Sequence, residues 1–476
     1  MGPSAGCRSM NRLLPFALAL LATAPRKIVV PAAPDTAITH VSVLDIERGI
    51  WRRDLTVLIA GNHIVEVAPA AAVPLKGVAR IIDGGEKFLI PGLWDMHVHL
   101  DDDRRTLGTF IAAGVTSIRD MGSPDAPVVA WRDSIVAGLL LGPRVRLAGT
   151  ILESAKWRRA VLELLPASAV SVRASLARRI GLRSFFDVYD ALDSVQRLHG
   201  DFVKVRTEPD AVTFFTLLRE ARRRGLDVVG HPPTNVSLRD ASDSGYRTIE
   251  HGFFGAPETQ EGFELERLPP TDRRALFERF ARNGTAITAT LIALHGRPDS
   301  EVVAFVARSR ALGDASCISD SVGSWWLEVL EINKIGARLD FGAQYRTLTR
   351  EIREMKTAGV PLLAGTDYGL PLELPGFSLL EELELLVRDG GLTTAEALRA
   401  ATLEPAVVMH LADSLGTIQP GKVADLVLLD ADPLVDIKNL RQLRAVFTGG
   451  RVMTRHELDA LPGVTACRRE TSARTE

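Results

Sequence analysis

The feature that most restricts this chain is an alternation, between about residues 91 and 414, of short apolar runs with longer stretches of helical periodicity. The runs are Leu93 to Leu100, Val115 to Met121, Val145 to Ile151, Phe202 to Arg206, Asp227 to His231, Thr248 to His251, Thr285 to Leu291 and Pro361 to Asp367. Strand-like runs separated by helices build parallel sheets, because two parallel strands need a crossover and a helix supplies it. Eight runs predict an α/β chain folded as a (β/α)8 TIM barrel, in which reactive groups gather at the C-terminal ends of the strands. A chain of 476 residues holds one such domain and a smaller one beside it.

The smaller domain is expected from both ends of the chain. Ile38 to Leu44, Leu55 to Ile59 and Ile64 to Val67 alternate as strands do, with a Gly61-Asn62 turn; Ala424 to Leu429 and Arg451 to Met453 repeat the pattern around Gly449-Gly450. We expect residues 36–90 and 415–456 to form one composite β-sandwich, residues 91–414 the barrel, and residues 457–476 a tail. Within the barrel, Ala211 to Arg224 is amphipathic and ends in Arg222-Arg223-Arg224 before Gly225, which reads as a helix C-terminus favoured by the dipole. The connections at about 152–200 and 292–359 exceed ordinary loops and are expected to contain helices that cover the barrel mouth.

Composition narrows the partners. The 57 basic residues are matched by 59 acidic ones, so no bulk field draws the chain to nucleic acid or to an acidic membrane, and a small molecule is the expected substrate. Cys7, Cys317 and Cys467 show neither close pairing nor metal spacing, so no disulfide framework and no cysteine-bound zinc is expected. Arg8 and Arg12 precede the apolar run Leu13 to Ala22 and then Thr23-Ala24. Residues 1–24 read as a signal peptide, too short for a stable membrane span, and place the protein in the periplasm or outside the cell; the alternative is a frayed apolar start of a cytoplasmic protein. The sequence leaves oligomeric state open, a homo-oligomer included.

The barrel rule directs attention to polar residues at strand ends. His97 and His99, two apart, share one face and can grip a metal ion, although a lone His-x-His is common in proteins without metals. Strand five ends in His231, strand six in His251 and strand eight in Asp367, so four of the ten histidines converge with an aspartate. His40, His63, His199, His295, His410 and His456 scatter elsewhere. On strand four, Val203 and Val205 suit the helix side, which turns Lys204 inward. A buried ammonium beside divalent cations is repelled. Lys204 therefore either pairs with Asp367 or loses its proton and combines with carbon dioxide as a carbamate, an anion able to bridge two metals.

With these residues assembled, the chain resembles the amidohydrolase superfamily in its two-metal, lysine-containing branch. The likeness rests on Ile90-Pro91-Gly92-Leu93-Trp94-Asp95-Met96-His97-Val98-His99, Gly114 to Gly122, Phe202-Val203-Lys204-Val205, Gly230-His231, Ile249-Glu250-His251, Gly365-Thr366-Asp367, Thr402 to Ala406 and Gly416 to Val427. It implies that His97, His99 and Asp367 hold one divalent ion, His231 and His251 a second, and carboxylated Lys204 bridges them, with zinc the expected metal. A shared water or hydroxide would be the nucleophile and Asp367 the catalytic proton carrier. The sequence looks most similar to the group containing Xaa-Pro and Xaa-Arg dipeptidases and ochratoxin-hydrolysing enzymes. It departs at Arg206, where that group often has tyrosine, and at Leu380, where many have histidine.

The resulting expectation is a hydrolase of amide bonds in dipeptides or N-acyl amino acids. Arg206 could bind a substrate carboxylate or serve as a structural arginine; Tyr368 is a second candidate contact, and Asp101 to Asp103 read as a solvated loop. Two other readings stand beside it. An imidazolonepropionase-like cyclic amidohydrolase or lactonase is one, although the one-metal enzymes carry a glutamate three residues beyond the strand-five histidine, where this chain has His231-Pro232-Pro233-Thr234. The other is a non-catalytic scaffold, which would have no need of a full ligand set.

Overall fold

A computed structural model describes residues 2, 33–123, 125–233, 235–252, 268–334 and 341–475; the expected signal peptide falls, but for residue 2, outside them. From Ala33 onward the chain is one unit. It begins with β1 (Thr36–Asp45), β2 (Ile50–Ala60), β3 (His63–Pro69), β4 (Arg80–Asp83) and β5 (Phe88–Pro91). The central region supplies β6 (Leu93–Val98), β7 (Val115–Asp120), β8 (Arg144–Leu147), β9 (Leu152–Ser154), β10 (Ile180–Leu182), β11 (Phe202–Val205), β12 (Asp227–Gly230), β13 (Tyr246–Glu250), β14 (Ala286–Thr288) and β15 (Leu362–Leu363). The chain closes with β16 (Leu426–Leu429), β17 (Leu443–Thr448) and β18 (Arg451–Thr454).

Strands from the two ends do meet, in a single eight-stranded sheet ordered β18-β17-β16-β5-β1-β2-β3, with β4 on β1. Irregularities in β1 at Ile38/Val41 and Val41/Val43 let one strand pair with β4 through Thr36 to Thr39 and with β5 through Ser42 and Val43, and strands from both ends share one core, in which Ile38, Val57 and Ile64 join Leu426, Leu428 and Phe447.

All eight expected central runs contain strands. They fall into a three-stranded parallel sheet, β6-β7-β8, and a seven-stranded parallel sheet, β10-β9-β11-β12-β13-β14-β15, instead of one continuous ring. Backbone hydrogen bonds cross both gaps: Asp201 N–H donates to Leu147 O (2.8 Å) on one side, and Met96 N–H to Ala364 O (2.9 Å) and Asp367 N–H to His97 O (2.8 Å) on the other. The ladder breaks where Asp201 also accepts Leu147 N–H through its side chain, and where β15 ends after two residues.

Packing follows the period of two. Val203 and Val205 join the core cluster of helix side chains such as Val188, Leu192, Phe214 and Leu217. Phe202 instead joins Trp94, Met96, Met121, Ala148, Val229, Ala286 and Leu363, a cluster drawn from both parallel sheets. Each such side chain contributes about 1.5–3 kcal/mol when fully buried. In β6 strict alternation fails: Trp94 and Met96 belong to that inner cluster and Val98 to the outer one, with a register shift between Asp95 and Val98.

The helix of the fourth repeat runs Ala211–Arg223; Asp210 caps it by accepting Thr213 N–H (2.7 Å), and Gly225 leaves it at φ 72°. Both long connections are helical, Ala155–Leu164, Val170–Ala177 and Asp187–Arg197 in the first, Asp299–Leu312 and Asp320–Asn333 in the second. They clasp each other where Glu328 accepts Ser171 N–H (2.9 Å) and Val172 N–H (3.2 Å). Trp325 Nε1–H donates to Gly369 O (2.8 Å) in the loop after Asp367, and Ser321 Oγ–H to Asp102 (2.9 Å) in the loop after His99.

The cysteine expectation is corrected. Cys317 and Cys467, 150 residues apart, form a disulfide with Cα atoms 4.9 Å apart. A separation that long leaves no local signal in the sequence. The expected tail is accordingly not loose: its helix Val464–Thr475 carries fully buried Cys467, and Glu470 pairs with Arg308 (3.0 Å). No helix among the described residues is long and apolar enough to cross a membrane.

Candidate metal centre

The ligand end of the parallel sheets brings His97, His99 and Asp367 together, with one donor atom of each within 4.8 Å of the others. Asp367 Oδ1 lies 3.3 Å from His97 Nε2 and 3.5 Å from His99 Nε2. The His97 ring lies 4.4 Å from that of His251, and His251 lies 5.0 Å from His231, centroid to centroid. Gly365 lets the strands approach this closely, since a Cβ there would sit 2.9 Å from His97 Cβ and 2.7 Å from Thr288 Cγ2. His251 and Asp367 both hold left-handed backbone, φ 64° and 60°, which turns each strand end sharply at its functional side chain.

Hydrogen bonds decide which imidazole nitrogens are free. His97 Nδ1 is 2.8 Å from Glu250 Oε2 and His99 Nδ1 2.8 Å from Gly122 O. Both partners can only accept, so each Nδ1 carries the proton and each Nε2 presents a bare lone pair. His251 Nδ1 meets Thr290 Oγ1 at 2.9 Å. Burial, with Lys204 as the leading charge, holds His97 and His231 well below the usual histidine range and brings His251 to about 3. Burial brings His99 to about 4. All four rings are therefore neutral near pH 7.

Two residues that the motifs contained but to which no role was given complete the foundation. Glu250 and Arg119, both fully buried, form an ion pair at 2.8 Å. Arg119 also donates to Met96 O (2.7 Å), Thr248 Oγ1 (3.0 Å) and Thr288 Oγ1 (3.1 Å), and Thr248 bonds Glu250. A buried pair of this kind gains little net stability; its effect is to fix the carboxylate that orients His97. Asp95 does the same for the far side, accepting His97 N–H (3.2 Å), Thr366 N–H (3.0 Å) and the Thr366 hydroxyl (2.8 Å), and burial pushes it up to about 7.

Lys204 is 1% exposed and its Nζ has no hydrogen-bond partner among the described residues. Burial lowers it to about 7, opposed by the charges of Glu250 and Asp367. Burial raises Asp367 to about 6. A cation fits the donor set: two lone-pair nitrogens and a carboxylate oxygen point at one another with no hydrogen between them, and His97 Nε2 is buried with no hydrogen-bond partner among the described residues. Such mutually repelling acceptors are stable only around a positive charge.

Arg206 stacks on Trp157, its guanidinium carbon 4.0 Å from the ring centroid, and its charge bears on His231, His251 and Asp367. Arg179, just before β10, pairs with buried Glu153 of β9 (3.1 Å) and bears on His99. Tyr368 is not brought to the substrate side. It is 1% exposed, stacks edge-on to Phe110 and donates its hydroxyl to Asp101, beyond the left-handed turn of the backbone at Asp367. Leu380 is buried in the helix Phe377–Arg388. Of the remaining histidines, His40 pairs with Asp54 and His410 with Asp227, each at 2.8 Å.

Comparison with known proteins accords with this geometry. Ochratoxinase of Aspergillus niger is 22% identical over 482 aligned residues, covering 90% of this chain and 89% of that protein. Imidazolonepropionase of Ralstonia nicotianae is 24% identical over 405, covering 81% and 88%. The crystal structure of a Xaa-Pro dipeptidase with methionine bound in its active site superposes with a TM-score of 0.64 at 20% identity, covering 88% of this chain and 99% of that one. The model of the amidohydrolase family matches residues 88–453, which include both parallel sheets and every residue of the cluster, and the chain belongs to that family.

Proposed function

We propose that this protein hydrolyses the amide bond of dipeptides or N-acyl amino acids at a centre of two divalent cations, zinc being the expected ion. The observation that carries the reading is the set of bare donor atoms at His97, His99 and Asp367 beside Lys204, whose buried Nζ has no hydrogen-bond partner among the described residues. His97, His99 and Asp367 would hold one ion and His231 and His251 the other. Lys204, which burial already drives toward the neutral amine, would add to carbon dioxide through Nζ, lose a proton and serve as the bridging carbamate. Bound there, the two cations would lower the pKa of a shared water and polarise the amide carbonyl.

The chain's own residues do the rest. Asp367 accepts a proton from the attacking water on its carboxylate and passes it to the departing amine nitrogen. Glu250 and Arg119 keep the His97 lone pair in place, and Arg206, steadied by Trp157, binds the substrate carboxylate. The amide-cleaving relatives support this substrate class. The hydrogen bonds across both gaps and the shared inner cluster support reading the two parallel sheets as one (β/α)8 barrel. The disulfide together with the apolar start supports a site of action outside the reducing cytoplasm.

The test is a panel of dipeptides and N-acyl amino acids assayed with and without chelator, alongside metal analysis. Turnover that the chelator abolishes, with about two ions per chain, is expected; full activity with about one ion contradicts the bridged centre. N-terminal sequencing of exported protein tests the location, and an intact residue 1 in the cytosol refutes it.

A further inference from the structure

The balanced charge of the whole chain conceals one stretch that is not balanced. Between Ala155 and Phe186, in the helical connection after strand three, seven basic residues stand against a single acid, Glu163. Two of the seven are paired locally, Arg179 with Glu153 (3.1 Å) and Arg183 with Asp187 (2.6 Å). Lys156, Arg158, Arg159, Arg173 and Arg178 have no carboxylate partner among the described residues; Arg158 and Arg173 bond only to backbone carbonyls.

Three guanidinium groups are gathered at one place. Arg158, Arg159 and Arg183 line a cavity of about 440 Å³ between the helix Ala155–Leu164 and β10, and no acid belongs to its lining. Arg158 reaches over the backbone of β10, where a Cβ at Gly181 would sit 2.6 Å from its Nη2, and donates to Arg179 O. The backbone therefore holds this group in place without neutralising it. A space of this size, walled by guanidinium donors, suits a phosphate-bearing head group.

Large apolar side chains stand beside these cations. Leu164, at the end of the same helix, is 75% exposed, Val170, at the start of the next, 65%, and Phe186, three residues beyond Arg183, 71%. Arg173 donates to Leu162 O (2.8 Å) and Leu165 O (3.1 Å), which sets its charge at the turn carrying Leu164 and Val170. Apolar tips interleaved with cations match a surface that enters the head-group layer of a membrane. Two copies of so positive a patch repel each other, and nucleic acid gives the aliphatic Leu164 and Val170 no role. No helix among the described residues is long and apolar enough to cross a bilayer, so the contact is peripheral.

We propose that this part of the cover docks on an anionic phospholipid membrane, with a phosphate head group in the arginine cavity and Leu164, Val170 and Phe186 in the interface.

The test sediments the full-length protein with vesicles of phosphatidylcholine, alone or with about one third phosphatidylglycerol. Binding to the anionic vesicles is expected to be about tenfold tighter or more, and to weaken as salt rises from about 0.1 M to about 0.5 M. Arg159→Glu with Arg178→Glu, and separately Leu164→Ser with Phe186→Ser, should each weaken it about tenfold. Equal binding to the two vesicles, binding to neither, or binding that neither pair of changes weakens overturns the proposal; the comparison of vesicles needs no variant. Calorimetry with inorganic phosphate, a gel shift with polyuridylate and sedimentation velocity probe the other occupants. A response in one of these that the variants abolish, without vesicle binding, assigns the surface to a soluble anion, RNA or a second copy and overturns membrane docking as well.

Discussion

The floor and the cover of the site are built on different principles. In the floor, His97, Glu250, Arg119, Thr248 and Thr288 are fully buried and each hydrogen bond constrains the next. The cover, made by the helices after strands three and seven, is joined by separate contacts, among them Glu328 to Ser171 and Val172, Trp325 to Gly369, Ser321 to Asp102, Arg297 to Glu381, Arg308 to Glu470 and the disulfide. It also leaves Leu164, Val170 and Phe186 more than half exposed. The contrast separates two tasks. Rigid, desolvated contacts fix lone pairs and protons, while tethers independent of one another hold the surfaces that meet the substrate and tolerate replacement there.

Substitutions in the two regions should fail differently. The largest effect is expected for Asp367→Asn, with kcat falling on the order of 10³-fold in steady-state assays and little change in melting temperature. Next comes Glu250→Gln, which takes the charge from the acceptor that sets the His97 tautomer and leaves Arg119 without its counterion; affinity for the first metal should weaken about 10–100-fold in competition with a chelator. In the substrate-facing region, Arg206→Met should raise KM about tenfold for carboxylate-bearing substrates and leave kcat nearly intact, and unchanged kinetics would remove its role. Cys467→Ser should alter turnover least while lowering stability by about 2–4 kcal/mol in denaturant titration. If it instead abolished turnover, the cover would belong to the rigid part and the contrast would break.

The floor was legible in the sequence because its ligands end apolar runs long enough to show a period. His231, His251 and Asp367 could be placed by strand counting alone. Glu250 and Arg119 were visible as letters in motifs, but their pairing joins strands six and two and has no signature along the chain. β9 and β10, three residues each, are too short for alternation to register. Tyr368 was misplaced by nearness in sequence, because the backbone turn at Asp367, beyond which its ring meets Phe110 and Asp101, leaves no mark in the sequence. The cover was least legible: its Trp157–Arg206 stack, Glu328 clasp and disulfide are contacts between helices and loops whose sequences carry no mark of one another.

The composite sheet has a consequence for how the molecule is made. β5 pairs with β16, Phe88–Pro91 against Leu426–Leu429. At translation rates of about 5–20 residues per second, the earlier strand leaves the ribosome on the order of tens of seconds before its partner exists. During that interval its apolar edge lacks its neighbour and is exposed to pairing with other chains. Synthesis speed and chaperone supply, more than the stability of the finished fold, should therefore govern how much of this protein a cell recovers in native form.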